Sequence, residues 1–227
     1  MRVNGAVGAK LLTLHLVHCE LRSAPRAARA AVSRTEELRA TPGLLHAQPF
    51  ATSNLFVPTP RRLGLLCAWD EVAAADAFLA ASPVLAALGA PAQRSAHVRL
   101  QPVRATGRWN GVAMSVEPSP PLRDDEPVLA FVHGRLRRRH AVRFYRANVR
   151  VARFALRQPG FLGGMGLHET PRRFASLSSW RSLEHAQRYA YGPGEHEPVV
   201  RPYKEVPWAE DWCFLRLRSL GPDEPLL

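Results

Sequence analysis

Short apolar runs of strand length, broken by turn residues, set the rhythm of this chain. Lys10 to Val17 reads as a strand, and Pro25 to Leu38 follows as an alanine- and arginine-rich helix with apolar residues at helical spacing. A Pro42-Gly43 break precedes an extended run from Leu44 to Phe50, a polar tip at Thr52 to Asn54, and a second run from Leu63 to Trp69. Asp70 is positioned to cap a helix over Glu71 to Ala80, and Ser82-Pro83 restarts a shorter one, with serine at the N-cap and proline at the first helical position. Ala96 to Val103 returns as a strand, so this part reads β-α-β-β-α-β, the ferredoxin-like order.

The pattern then repeats. Val128 to Val132 is a strand, and Arg138 to Arg157 a long helix with Val142, Tyr145, Val149, Ala152 and Leu156 on one face. Gln158-Pro159-Gly160 stops it. Phe161 to Glu169 and Phe174 to Trp180 form a hairpin about Thr170-Pro171, Ser182 to Tyr191 is a helix, and Trp212 to Arg218 closes the order. Pro42-Gly43-Leu44-Leu45 leading to Trp69 thus corresponds to Pro159-Gly160-Phe161-Leu162 leading to Trp180. The expected organisation is one module over residues 10–105, a proline- and glycine-rich linker over 106–126 that contains Trp109, and a second module over 127–220. A four-stranded ferredoxin-like sheet covers one face with helices and leaves the other bare. The expected fold class is therefore α+β: two tandem ferredoxin-like modules packed as an intrachain α+β barrel, with a ligand pocket between the sheets or under their helices.

At 227 residues and 46% hydrophobic, the chain can bury a substantial core. No apolar run reaches the roughly 18 residues of a membrane span, and His18 occupies the point where a signal-peptide cleavage site needs a small residue. The expected location is cytoplasmic, with room for a peripheral contact at the inner face of the membrane. Cys19, Cys67 and Cys213 are far apart, lack metal-ligand spacing and sit in or beside apolar runs, as buried reduced thiols do. The net charge of +12 is almost wholly arginine, since Lys10 and Lys204 are the only lysines. No nucleic-acid motif accompanies that charge, so anionic lipid suits it better than nucleic acid as a partner. Ser-His-Asp, zinc and paired-carboxylate signatures are likewise missing from the sequence.

The order and spacing of several short segments carry a resemblance that runs from about residue 10 to residue 220. They are Phe56-Val57-Pro58-Thr59-Pro60 leading to Ala68-Trp69-Asp70, Gly107-Arg108-Trp109-Asn110-Gly111, Arg143-Phe144-Tyr145, Pro159 to Leu162 through Gly166 and Glu169, and Trp208 before the last strand. Together they resemble the spheroidene monooxygenase family of carotenoid oxygenation. The resemblance implies a haem b iron site, a long apolar substrate channel, dioxygen as co-substrate, an electron donor such as ferredoxin and, in some assemblies, a homodimer. The same barrel superfamily also hosts dehydration and N–N or N–O chemistry at haem, and a cofactor-free binding protein that has lost its iron site is a further alternative.

Under that resemblance the axial ligand is sought among nine histidines. His196, in Gly192-Pro193-Gly194-Glu195-His196, matches the position of a Pro-His pair in the family; the alternative is a surface histidine in an acidic turn. Pro198 and Pro202 depart from the family pattern, because Pro202 ends or kinks any helix there. His185, four residues before Tyr189, is the second candidate, and His168 is a candidate distal catalytic residue. Gly164 and Gly166 in Gly163-Gly164-Met165-Gly166 are not followed by Lys-Ser/Thr, so they suit close approach of a flat cofactor, or a bulge, better than a phosphate loop. Trp69 and Trp180 read as core anchors, Trp109 and Trp208 as walls of a substrate entrance, and the arginines from Arg135 to His140 as a solvated helix start or an anion contact.

Overall fold

A computed structural model of the chain describes residues 8–54, 57–110, 112–113, 116, 118–193 and 208–221. The first repeat gives β1 (Leu11–Cys19), α1 (Ala24–Ser33), α2 (Thr35–Arg39), β2 (Leu44–Asn54), β3 (Val57–Trp69), α3 (Val72–Ala81), α4 (Pro83–Gly89) and β4 (Ala92–Trp109). A two-residue β5 (Val112–Ala113) pairs with the end of β4. The second repeat gives β6 (Val128–Leu136), a 3-10 turn (Arg138–His140), α5 (Ala141–Ala155), β7 (Phe161–Thr170), β8 (Arg173–Trp180), α6 (Leu183–Tyr191) and β9 (Ala209–Ser219).

All strand pairings are antiparallel. The order β1-β3-β2-β7-β8-β6-β9-β4 returns to β1 through a β1–β4 ladder, so eight strands close into a barrel. Each half contributes a ferredoxin-like sheet, and the halves meet at two seams. β4 joins β9 over seven residue pairs from Leu100↔Ser219 to Gly107↔Cys213, whereas β2 joins β7 over only Ala51↔His168, Thr52↔Leu167 and Ser53↔Gly166 among the described residues.

The duplication is visible in backbone detail. Gly43 and Gly160, each preceded by proline, adopt φ of 72° and 77°, a left-handed turn that favours glycine. The amide after each anchoring tryptophan bonds back to that glycine: Asp70 N–H to Gly43 O at 3.0 Å and Arg181 N–H to Gly160 O at 2.7 Å. Trp69 and Trp180 are buried as expected, with their indole N–H groups satisfied by Thr13 Oγ1 and Ser178 Oγ. The three cysteines are buried and free.

Strand alternation sorts the side chains into layers. Leu12, Leu14, Leu66, Leu100, Phe131, Met165, Leu177 and Leu215 fill the barrel interior, so the space between the sheets is a packed core rather than an open channel. A second cluster, including Leu11, Val17, Ala27, Leu65, Trp69, Phe78 and Leu88, binds the first sheet to its helices. The corresponding cluster of the second sheet is small: Val128, Ala155 and Trp180, flanked by Phe161, Ala186 and Tyr189.

Several expected details shift. Pro25 to Leu38 divides into α1 and α2, β4 continues to Trp109, and α3 starts after Glu71, with no side-chain cap from Asp70. The first arginine of the Arg135–His140 run lies in β6, and α5 begins only after the run. α5 buries Ala147, Val151, Ala152 and Ala155, leaving Val142 and Leu156 exposed. Its buried face is mostly alanine, which allows close approach, and Phe144 packs in a tilted geometry against Phe174 with ring centroids 4.3 Å apart. Among the described residues no single helix is long and apolar enough to cross a membrane.

Candidate functional site

Over the first sheet the helix layer is complete: Leu11, Thr13, His15 and Val17 of β1 are all buried beneath it. Over the second sheet it parts among the described residues. Val132, in the central strand β6 and on the helix-facing side, is 38% exposed. Pairing registers place Gly164, Ser178, Ala130, Arg216 and Arg104 in one row across β7, β8, β6, β9 and β4. The next row is Gly166, Ser176, Val132, Phe214 and Thr106. Alternation puts these rows on the side of Val128 and Trp180, opposite the barrel interior. The result is a floor of glycine, serine and alanine, partly roofed by α5 and α6, with two arginines along one side.

Those arginines are an unusual cross-strand pair. Like charges directly opposite each other destabilise a sheet, and no carboxylate among the described residues pairs with either. Burial lowers the proton affinity of Arg216, the Arg104 charge acts in the same sense, and Tyr191 opposes it. A flat molecule with carboxylates at its rim fits this combination: the small side chains allow close approach, and a guanidinium accepts a carboxylate in a forked geometry.

The candidate residues read from the sequence divide as follows. Gly164 and Gly166 lie in β7 and belong to the floor. His168, further along β7, has Nε2 2.9 Å from Ser53 Oγ at the β2–β7 seam, and burial holds its pKa below the usual value. His185 is on α6, with Nδ1 2.9 Å from the Oγ of the N-cap residue Ser182. Its ring packs against Gly160 at the foot of β7. With Nδ1 engaged by Ser182, Nε2 is the ring nitrogen of His185 left for any other partner. His196 lies outside the described residues. Trp109 and Trp208 are both buried rather than walls of an entrance. The indole of Trp109 turns into the barrel because β4 continues to that position, and Trp208 is held against Phe144 and beneath the Arg143 guanidinium.

A second constellation, absent from the sequence reading, occupies the end of the barrel. His46 packs edge-on against Trp109, with ring centroids 4.4 Å apart, and Trp109 Nε1–H donates to Gln48 Oε1 at 2.7 Å. Asn110, at φ 50°, directs its amide nitrogen to Gln48 Oε1 at 3.4 Å and to His46 Nε2 at 3.3 Å. His133 is fully buried, and neither ring nitrogen has a partner among the described residues. Burial drives the pKa of His46 and His133 down to about 4. The neighbouring His133 and Arg173 charges reinforce this at His46 while Asp211 opposes, and Arg173 reinforces it at His133. The signal in the sequence was the alternation His46, Gln48, Phe50 together with Trp109-Asn110, but a linker reading hid the latter pair.

No group of three or more His, Cys, Asp or Glu side chains among the described residues is arranged to hold a metal ion on its own. An iron carried by a macrocycle needs only one axial side chain, so this geometry bears on free ions alone.

No family model matches the chain. It is 27% identical over 180 residues to the spheroidene monooxygenase of Rhodobacter capsulatus, covering 76% of this chain and 73% of that protein. It is 31% identical over 145 residues to the spheroidene monooxygenase of Rubrivivax gelatinosus, covering 63% of this chain and 55% of the relative. The Cereibacter sphaeroides protein of the same name matches at 27% over 75% of this chain and 53% of its own length, so the chain spans little more than half of two of these relatives. Among solved structures, an aldoxime dehydratase superposes with a TM-score of 0.61 at 10% identity, covering 96% of this chain and 83% of that one. A second, in complex with butyraldoxime, gives 0.59 at 9% identity, covering 96% and 81%. The chain is thus a sequence relative of spheroidene monooxygenases, built as a single-chain α+β barrel.

Proposed function

We propose that this chain is a haem-dependent monooxygenase acting on an apolar, carotenoid-like substrate, with haem against the helix-facing floor of the second sheet. The observation that carries the reading is the row Gly164, Ser178, Ala130, Arg216, Arg104, on a face left partly uncovered in a relative of spheroidene monooxygenases. When bound, haem supplies the activation of dioxygen that no side chain can provide. Gly164, Gly166 and Ser178 would give a flat ring close approach, and Arg104 and Arg216 would take its carboxylates. His185 and His196 are the candidate axial ligands. Ser182 would hold the ring of the former, leaving Nε2 for the iron. His168, kept neutral by burial and bonded to Ser53, offers a ring nitrogen at the distal edge for moving a proton. One oxygen atom enters the substrate and the other leaves as water, with two electrons from a donor such as a ferredoxin and two protons.

The spectrum of purified protein given excess haem is the test. A Soret band is expected, abolished in Ser178→Leu, which fills the floor, with the far-ultraviolet circular dichroism retained. His185→Ala and His196→Ala identify the ligand by which of them loses the band. Unchanged haem uptake in Ser178→Leu removes the proposed location.

A further inference from the structure

The outer side of α5 carries two parallel stripes. Arg143, Arg146, Arg150, Arg153 and Arg157 recur at alternating spacings of three and four, which keeps them on one side of a helix, and all five are exposed. Beside them run Val142, Val149 and Leu156, seven residues apart. The first and last are 67% and 55% exposed, and Val149 is half-buried. Ala147, Val151 and Ala155 face the core instead, so the Val142 to Leu156 strip is apolar surface left over once the core is made.

Fold stability does not account for so much charge on one helix. Between Arg135 and Arg157 stand nine arginines and no acidic residue. Like charges three or four residues apart repel, and Arg138, Arg139 and Arg143 lie at the N-terminal end, where the helix dipole opposes cations. Elsewhere helical arginines have acidic neighbours: Arg34 pairs with Glu37, Arg39 with Glu36 and Arg188 with Glu184, whereas no carboxylate among the described residues pairs with Arg146, Arg150 or Arg157. An anionic lipid surface answers both stripes at once. Guanidinium groups fork headgroup phosphates, and aliphatic side chains beside them reach the edge of the acyl region, as in helices that lie in the plane of the interface. Nucleic acid would answer only the charge, leaving the aliphatic strip against phosphates.

We infer that the outer face of α5 is a docking surface for an anionic lipid bilayer: the arginine stripe binds headgroup phosphates, and Val142 and Leu156 seat at the edge of the acyl region. The contact runs along the 15 residues of α5, a length of about 22 Å. It does not rest on the haem reading. Where that reading also holds, α5 is part of the roof over the second sheet, so docking brings the recess beneath it against a reservoir of apolar molecules.

Co-sedimentation of the 227-residue chain with vesicles of phosphatidylglycerol and phosphatidylcholine, at about 0.1 M salt and with and without added haem, tests the face. Vesicles of phosphatidylcholine alone, a DNA duplex and polyglutamate are the comparison probes. Arg146→Gln with Arg150→Gln should lower partition into anionic vesicles about twentyfold to thirtyfold, the attraction two basic residues gain near such a surface. Its unfolding midpoint should not fall, because glutamine relieves like-charge contacts. Arg26→Gln with Arg29→Gln, both exposed on α1 in the other half, removes the same charge and should change partition by about threefold or less, since charges far from the contact are screened. Val142→Ser with Leu156→Ser should weaken partition severalfold at unchanged charge. Equal losses in the α1 and α5 arginine pairs overturn the inference by assigning the attraction to net charge, and so does equal partition into neutral vesicles. Tighter binding to the duplex or to polyglutamate than to anionic vesicles, sensitive to the α5 pair, gives the face another partner and overturns it too. Unchanged partition in Val142→Ser with Leu156→Ser overturns the seating of the apolar strip. Failure of haem uptake leaves these outcomes intact, and failure of vesicle binding leaves the haem floor intact, so the two readings fall separately.

Discussion

Arg218 of β9 and Glu126 form a largely enclosed ion pair, the two side chains only 15% and 10% exposed. The same guanidinium donates to the carbonyl oxygens of Pro120 and Pro121, so one arginine ties the segment between the halves to the last strand. Burial alone would raise the Glu126 carboxyl, but bonds from Arg218 and the Arg123 amide, with the charges of both arginines, bring it below its ordinary value. Glu126→Gln should cost about 2 kcal/mol, softened by the other acceptors of Arg218. A depressed carboxyl stabilises the fold above its unfolded pKa and loses that contribution as pH falls through its folded value. The variant should therefore lack the acid limb below about pH 4.5, as urea unfolding between pH 5 and pH 3 would reveal.

A second acid limb belongs to histidine. His15, His46 and His133 are held neutral, each with its pKa lowered to about 4 by burial, His15 with added opposition from His97. In the unfolded chain they take up protons near 6.5, so stability is full above that value and falls as pH drops from 6.5 towards 4. The slope approaches about 1.4 kcal/mol per pH unit for each group. His133→Leu should remove about one proton from the slope and leave stability at pH 7.5 equal or higher, since both ring nitrogens lack partners. An unaltered slope would show that His133 is not among the groups responsible.

Gly64 of β3 has no room for a methyl group. A Cβ there would lie 2.5 Å from both His15 O and Phe50 Cζ. Gly64→Ala should lose about 1–3 kcal/mol through overpacking, measured as a lower unfolding midpoint, and Gly64→Ala with Phe50→Leu should recover part of the loss.

The Arg104–Arg216 pair predicts a trade. Arg104→Gln should leave haem-free protein as stable or slightly more stable, by about 0.5 kcal/mol or less. It should also weaken haem retention, followed by transfer of haem to an acceptor globin. Equal retention in both proteins would count against a role for these arginines in holding the carboxylates.

The strands and their order were legible because short apolar runs bounded by Pro-Gly and tryptophan recur twice, and local sequence suffices to encode each. Gly164 and Gly166 could be placed in β7 for the same reason. Asn110, His46, Arg173 and Glu169 could not be brought together, because they meet only through a seam between distant strands. Trp109 was misplaced because proline and glycine around it imitate a linker, whereas β4 in fact runs through it with a left-handed residue, Gly107 at φ 85°, along the way. The face of α5 was misread because two overlapping apolar stripes share Ala152, and the packing partners that choose the Ala147, Val151, Ala155 side lie on strands distant in sequence.

The unequal seams bear on descent. Two identical chains meeting about a two-fold axis must make the same junction twice, so a mutation that loosens one loosens the other and is paid for in duplicate. Fusion into one chain lifts that constraint. The β4–β9 junction could remain a long ladder while β2–β7 shortened, opening a recess without a matching breach on the far side of the barrel.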